Sequence, residues 1–454
     1  MKKFLFVALA AVSSLYASAE GYQVNTFSAK QTGMGHVGVA MKLGAESNIF
    51  NPAAVAFSEK TLDISAGMSA IKATAKAIYN DSEYETSNKV STPFNVSGAF
   101  RIYDNLYAGL SLYTPYGSSI NWGDNWPGAI LNQSVDLKVF TVQPTVSWRI
   151  TSRLSIGAGL MISWGNVNLH KGLVTMESLN ALQQLMVMSG QLPGVLHTFT
   201  TTPASVVLDG SSDLAVGYNV GAMYDILPNL TFGASFRSKM QMKVAKGNAQ
   251  VNYGNEIAQT ILGTTLDDIS ATNFSASMPC PYVLTFGLAY NPISNLTVAF
   301  DAQLNGWSTY KTLDIAFDGL SQFDQHLKKN YKNAWTYHIG AQYGLTNRLD
   351  LRAGLMIDTS PCNKDYYNPE TPGTTKIEPS VGLSFRPIPN LSIDAAFMYI
   401  HGCKVSDATG RYDDFLAKSY PALEQYFGIS PEGAFTADYK VSAIIPAIGI
   451  SYSF

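Results

Sequence analysis

The ionisable side chains set within otherwise alternating apolar segments are Arg101, Arg149, Arg237, Asp301, His338, Asp350, Arg352, Arg386 and Asp394. A guanidinium in such a place binds a carboxylate through two parallel N–H donors. Arg237 and Arg352 are therefore candidates for binding a carboxylate. The competing reading pairs these charges with one another and with the segment that precedes the strands, with Asp301 and Asp350 as partners for the arginines. The six histidines (His36, His170, His197, His326, His338 and His401) are scattered. No His-Glu-x-x-His, Gly-x-Ser-x-Gly, phosphate-cradling loop or Cys/His cluster occurs. No catalytic group, metal site or cofactor is expected. Gly33, Gly35 and Gly38 match G-x-G-x-x-G, but a dinucleotide loop lies between a strand and a helix in a βαβ unit. In an all-β chain these glycines instead permit close backbone approach and positive φ.

The elements that position these residues are announced by a repeat. A short polar turn followed by Leu and an alternating segment recurs six times: Asp104-Asn105-Leu106, Ser152-Arg153-Leu154, Pro228-Asn229-Leu230, Ser294-Asn295-Leu296, Asn347-Arg348-Leu349 and Pro389-Asn390-Leu391. Alternating strands also enter each turn, over 94–103, 140–150, 214–226, 282–290, 335–345 and 377–387. Six hairpins, one strand near 62–70 and one over 439–454 make 14, and single-chain bacterial barrels have an even number. The expected fold is all-β: a 14-stranded antiparallel transmembrane β-barrel over 59–454. Tight turns alternate with long polar loops, about 171–212, 247–279 and 404–437. That asymmetry assigns the turns to the periplasm.

Parity separates two faces. Leu154, Ile156, Ala158 and Leu160 point one way, as do Leu230, Phe232, Ala234 and Phe236, and Leu349, Leu351, Ala353 and Leu355. The charged set has the opposite parity. An Arg or Lys facing lipid at the midplane costs roughly 2–4 kcal/mol, so the charges belong inside. Trp148, Trp164, Tyr224, Tyr290, Tyr343 and Phe385 share the outward parity near strand ends, as an aromatic girdle does. Tyr452 and the terminal Phe454 match the pattern read by outer-membrane assembly machinery.

Met1-Lys2-Lys3, an apolar run from Phe4 to about Leu15 and Ala17-Ser18-Ala19 predict a signal peptide over 1–19. Removing Lys2 and Lys3 takes the basic residues from 30 to 28 against 33 acidic ones, a formal charge of −5, so nucleic acid is not an expected partner. Charged residues are 14% of the chain, while Tyr and Phe number 25 and 22, which suits a wall facing lipid. Cys280, Cys362 and Cys403 give no disulfide framework; one external pair and no pair are both open.

Residues 20–58 fit no strand pattern. They carry Gly21-Tyr22-Gln23-Val24-Asn25, the three glycines, and Asn51-Pro52-Ala53. This segment resembles the N-terminal hatch of the FadL-type long-chain fatty acid transporter family, which includes aromatic-hydrocarbon importers. Pro115-Tyr116-Gly117 followed by Trp122, Trp126 and Gly128 is similar to that family's second external loop. The resemblance runs from the hatch to Phe454. It implies a lumen plugged by 20–58, capture of a hydrophobic ligand between external loops, an internal pocket, and exit through a gap in the third strand.

On this reading Gly109, Pro115 and Gly117 are exit candidates, because Gly leaves the wall unfilled and Pro cannot donate to a neighbouring strand. Met176, Leu179, Leu182 and Met186, with Ile257 and Ile261, fall at helical spacing in the loops and are candidate ligand contacts. Helices that merely cap the barrel would show the same spacing. The expected partners are a fatty acid or other hydrophobic small molecule, outer-membrane lipids and lipopolysaccharide, and the assembly machinery, for a monomer in the outer membrane. The alternatives are a general porin, an adhesin-like barrel and a barrel enzyme.

Overall fold

The computed structural model describes residues 21–454, so the expected leader lies outside the described residues. Fourteen antiparallel strands close a cylinder. In chain order they are β1 Leu62–Ser69, β2 Phe94–Tyr103, β3 Leu106–Asn121, β4 Ser134–Arg149, β5 Leu154–Val174, β6 Ala215–Leu227 and β7 Leu230–Arg237. There follow β8 Val283–Ile293, β9 Leu296–Asn305, β10 Ala334–Thr346, β11 Leu349–Asp358, β12 Lys376–Ile388, β13 Leu391–Gly402 and β14 Glu432–Ser453. Each pairs with the next. β14 returns to β1 from Asp63↔Ser453 to Ser69↔Ala447. No described helix is long and apolar enough to cross a membrane. Strands make the crossing, and closure leaves no unpaired edge in lipid.

The strand count is the one read from the turn repeat, and the faces follow parity. Leu160, Leu351 and Ile156 are 47%, 42% and 42% exposed on the outside, while Asp301, His338, Asp350 and Asp394 are buried within. Trp148, Tyr224, Tyr290, Tyr343 and Phe385 all stand on the outer face. Phe454 donates its backbone N–H to the Leu62 carbonyl at 2.8 Å, and its ring meets Tyr452 edge-on. The C-terminal pair therefore sits where the last strand zips to the first.

The long connections are less loop-like than their length suggests. Beyond the membrane rim β5 pairs with Ala204–Ser211, which pairs with Met240–Tyr253, then Asn273–Cys280, Thr312–Phe317 and Gln325–Lys328 in turn. The barrel's own sheet thus continues from its top as an extracellular sheet. Helices Met176–Met188 and Glu256–Ser270 pack against the same apolar cluster as this sheet. Thr175 and Asn255 cap them, their side-chain oxygens accepting from Ser178 N at 3.1 Å and Ala258 N at 2.8 Å. This layer holds the largest apolar core of the chain. These segments have a polar composition because their apolar residues alternate with Ser, Gln, Asn and Lys.

Candidate functional site

The lumen is occupied by residues 21–58, and the seat is made of glycine. Gly157, Gly221, Gly233, Gly287, Gly340, Gly354 and Gly382 all have inward parity, and a Cβ on any of them would strike the hatch. Gly354 and Gly340 face the backbone of Gly35 and Met34, Gly233 faces Val39, and Gly157 faces Pro52 and Ala53. A Cβ on Gly33 would lie 2.8 Å from Gly382 Cα. Several of these glycines are register partners: Gly157↔Gly221, Gly233↔Gly287 and Gly340↔Gly354. Two backbones approach here to a separation that no side chain permits.

Hydrogen bonds lock what the glycines admit. Asp301 accepts from Gly38 N at 2.7 Å and Val39 N at 3.0 Å. Ser380 Oγ accepts from Gly35 N at 3.0 Å, and His338 Nδ1 contacts Gly35 O at 2.8 Å. Gly35 has φ +66, which explains a glycine there. Asn51 donates to Val39 O at 2.7 Å and to Ala222 O at 3.1 Å, and it caps the Pro52 turn by accepting from Ala53 N at 3.0 Å. Ser147 and Ser155 of the wall both donate to Ala53 O, at 3.1 and 2.8 Å. Gly33, Gly35, Gly38, Asn51, Pro52 and Ala53 thus lie against the wall, and so do Val39, Asn48 and Ile49.

Arg237 donates to the Ile49 carbonyl and stands over the Phe27 ring at 5.1 Å, so it grips the hatch. Arg352 bonds Ser384 Oγ at 2.6 Å and Gln342 at 2.9 Å, with Asp350 and Asp394 each 3.9 Å away. Arg386 holds Asp350 through two bonds at 2.6 and 2.7 Å.

The wall is irregular in one place relevant to passage. β3 continues past Thr114 to Asn121, and an extra residue is absorbed at Thr114–Pro115. Tyr113 pairs with Thr141, but the next paired residue, Tyr116, sits opposite Val139. Pairing of β3 with β2 ends at Asn95↔Tyr113. The start of the hatch takes up the freed groups: Val24 N donates to Pro115 O and Gly117 N to Tyr22 O, each at 2.9 Å. Gly109 lies lower, where Asn48 fills the space its missing side chain leaves.

Two cavities meet at this bulge. The lower, of about 430 Å³, is lined by Gln23, Gly117, Met356 and Glu378 on the lumen side and by Lys89, Phe94, Lys138 and Phe140 near the outer face. The upper, of about 90 Å³, lies under the extracellular sheet and is walled by Val139, Leu208, Met242, Val244, Phe274 and Ile315. Ser118, Leu137 and Thr371 line both. Tyr22 bounds the upper cavity and Tyr116 the lower, with their rings in edge contact at 6.0 Å.

Met176, Leu179, Leu182 and Met186, and likewise Ile257 and Ile261, pack into the loop core, and none borders the upper or lower cavity. Sequence reasoning missed Met242, Val244 and Phe274, and named Tyr22 and Tyr116 only within the motifs that carry the resemblance. The alternation Met240-x-Met242-x-Val244 was the available signal. The three cysteines are free, and burial pushes the Cys280 and Cys362 thiols above their ordinary range. No group of side chains able to hold a metal occurs among the described residues.

Comparisons with known proteins bear on all of this. Over 423 residues the chain is 23% identical to the long-chain fatty acid transport protein of Escherichia coli O6:H1, covering 90% of this chain and 93% of that one. It is 22% identical to outer membrane protein P1 of Haemophilus influenzae over 67% of this chain, and spans 64% of that protein's length. The crystal structure of a FadL homologue from Pseudomonas aeruginosa superposes with TM-score 0.74 at 18% identity, covering 96% and 100% of the two chains. That of the toluene transporter TodX from Pseudomonas putida superposes with TM-score 0.66 at 18% identity, covering 93% and 97%. The model of the outer membrane protein transport protein family (OMPP1/FadL/TodX) matches residues 10–454. The chain belongs to that family, and it is a transport protein of the outer membrane rather than an enzyme.

Proposed function

We propose that this protein passively imports fatty acids or other hydrophobic small molecules, which enter the upper apolar cavity from the extracellular loops and leave sideways through the wall at the β3 bulge. Similarity to a long-chain fatty acid transport protein and to a toluene transporter supports the class of cargo. The observation that carries the exit is the lower cavity, lined both by lumen residues and by residues of the lipid-facing side where β3 parts from β2. An acyl chain gains about 0.8 kcal/mol per methylene withdrawn from water. A route that hands it from an apolar cavity to the bilayer keeps that gain, whereas the hatch-filled lumen below leads to aqueous periplasm. Tyr22 and Tyr116 form the partition, and displacing residues 21–25 opens it. The assembly role of Phe454 and contact with lipopolysaccharide belong to the same reading.

Ser119 lines the lower cavity. Ser119→Trp fills the passage and is expected to cut uptake of radiolabelled substrate by roughly tenfold, about 1.4 kcal/mol in the transfer barrier. Heat-modifiable migration on gels reports whether the barrel is intact. Unchanged uptake through an intact S119W barrel would remove the lateral route.

A further inference from the structure

The upper cavity has a chemical bias of its own. Its surface is almost wholly carbon, and Glu370 is the one carboxylate or cationic side chain among its lining residues. That carboxylate is taken: Lys329, fully buried, forms an ion pair with it, and the Lys329 ammonium lies 6.0 Å from the Tyr310 ring centroid. The Tyr310 phenol also borders the cavity, and burial pushes its pKa well above the ordinary range, so it stays neutral.

We propose that this cavity takes uncharged apolar molecules, hydrocarbons above all, and discriminates against carboxylates. The inference rests on the cavity being the ligand site, as proposed above. An ionised head group entering here exchanges water for carbon and meets a like charge in Glu370, while the buried ammoniums on that side are already held, Lys329 by Glu370 and Lys171 by Gln325 Oε1 at 2.7 Å. Burial of an ion without a partner is among the costliest transfers known, whereas a methyl-terminated guest leaves no group unsatisfied. At about 90 Å³ the cavity is smaller than the roughly 150 Å³ apolar cavity that admits benzene. A guest therefore displaces Met242 and Met278, whose flexible thioethers adapt to varied shapes.

The test is equilibrium binding of n-octane and octanoate, matched in chain length, to the purified full chain in an uncharged amphipol at neutral pH. Ala276→Trp, whose side chain fills the cavity, supplies the background. Octane retained above that background, with octanoate at least about tenfold weaker, is the expected result. Octanoate bound as well as octane overturns the inference and leaves the cavity as a ligand site. Neither ligand retained above A276W overturns the cavity reading and the inference with it. Glu370→Gln, which frees the Lys329 charge, is expected to strengthen octanoate binding about tenfold; no gain in a folded E370Q protein would contradict the exclusion argued here. The wild-type comparison decides the matter if that variant fails to assemble.

Discussion

Gly354→Leu will turn a plugged barrel into an ion-conducting one. Its new Cβ falls on the backbone of Gly35, and the opposing position across the ladder, Gly340, already holds Met34 against the wall. Neither backbone can yield as a side-chain tip would. Overpacking of this kind costs about 1–3 kcal/mol even where neighbours can shift, and here what shifts is the hatch. The bonds from Gly35 to Ser380 and His338 break with it. The outward residues of β11 and its ladders are untouched, so the wall should assemble. Planar-bilayer conductance is expected to rise roughly tenfold or more toward that of an open barrel, since wide barrels of this type without plugs hold water. Equal conductance in wild type and G354L would mean that the glycine seat does not hold the plug.

Deleting Pro115 will close the wall. β3 spends two residues, Thr114 and Pro115, between Tyr113 and Tyr116 where β4 spends one, Phe140, between Thr141 and Val139. Removing one residue restores the step, places Thr114 opposite Phe140 and keeps both flanking pairs. Pro115 is the one to remove, since it has no N–H to offer a partner strand. The straightened strand loses the carbonyl that accepts from Val24 and covers the gap beside β2. Uptake is expected to fall by about tenfold or more, about 1.4 kcal/mol per decade, while melting by heat-modifiable migration is unchanged or raised. Loss of uptake with loss of the folded band would indicate only misassembly. Full uptake through a folded, straightened barrel would leave the bulge without a transport role.

The barrel was legible because its rules are local. A turn residue pair, a Leu and a period of two repeat without reference to anything distant, and charge has one tolerable side. Hatch residues Gly33, Gly35, Gly38 and Asn51 were legible as a motif, but not their receptors, since Gly340, Gly354 and Ser380 lie hundreds of positions away and read as ordinary strand residues. The extracellular sheet was missed because Met240–Tyr253 and Asn273–Cys280 pair across a helix, with no tight turn to mark the hairpin. The loop helices show why periodicity stops short of function. Leu179 and Leu182 present an apolar face whether a ligand or a protein core lies opposite, and here both are buried in the core. Arg237 is a parallel case, its position deep in the lumen being readable and its partner, the Ile49 carbonyl, not.

On the proposed route cargo leaves through the wall while the body of the hatch stays seated. A Cβ on Gly449 would lie 3.2 Å from Ala29 Cβ, close to the separation of bridged cysteines, which is about 3.5–4.5 Å. Ala29→Cys with Gly449→Cys, in a chain whose Cys280, Cys362 and Cys403 are replaced by serine, fixes the hatch body to β14 and leaves residues 21–25 free to move. Uptake measured with the disulfide formed and then reduced should agree within about twofold, well under the tenfold that 1.4 kcal/mol would produce. Uptake abolished by the disulfide and restored by reductant would route the cargo through the lumen instead of the wall.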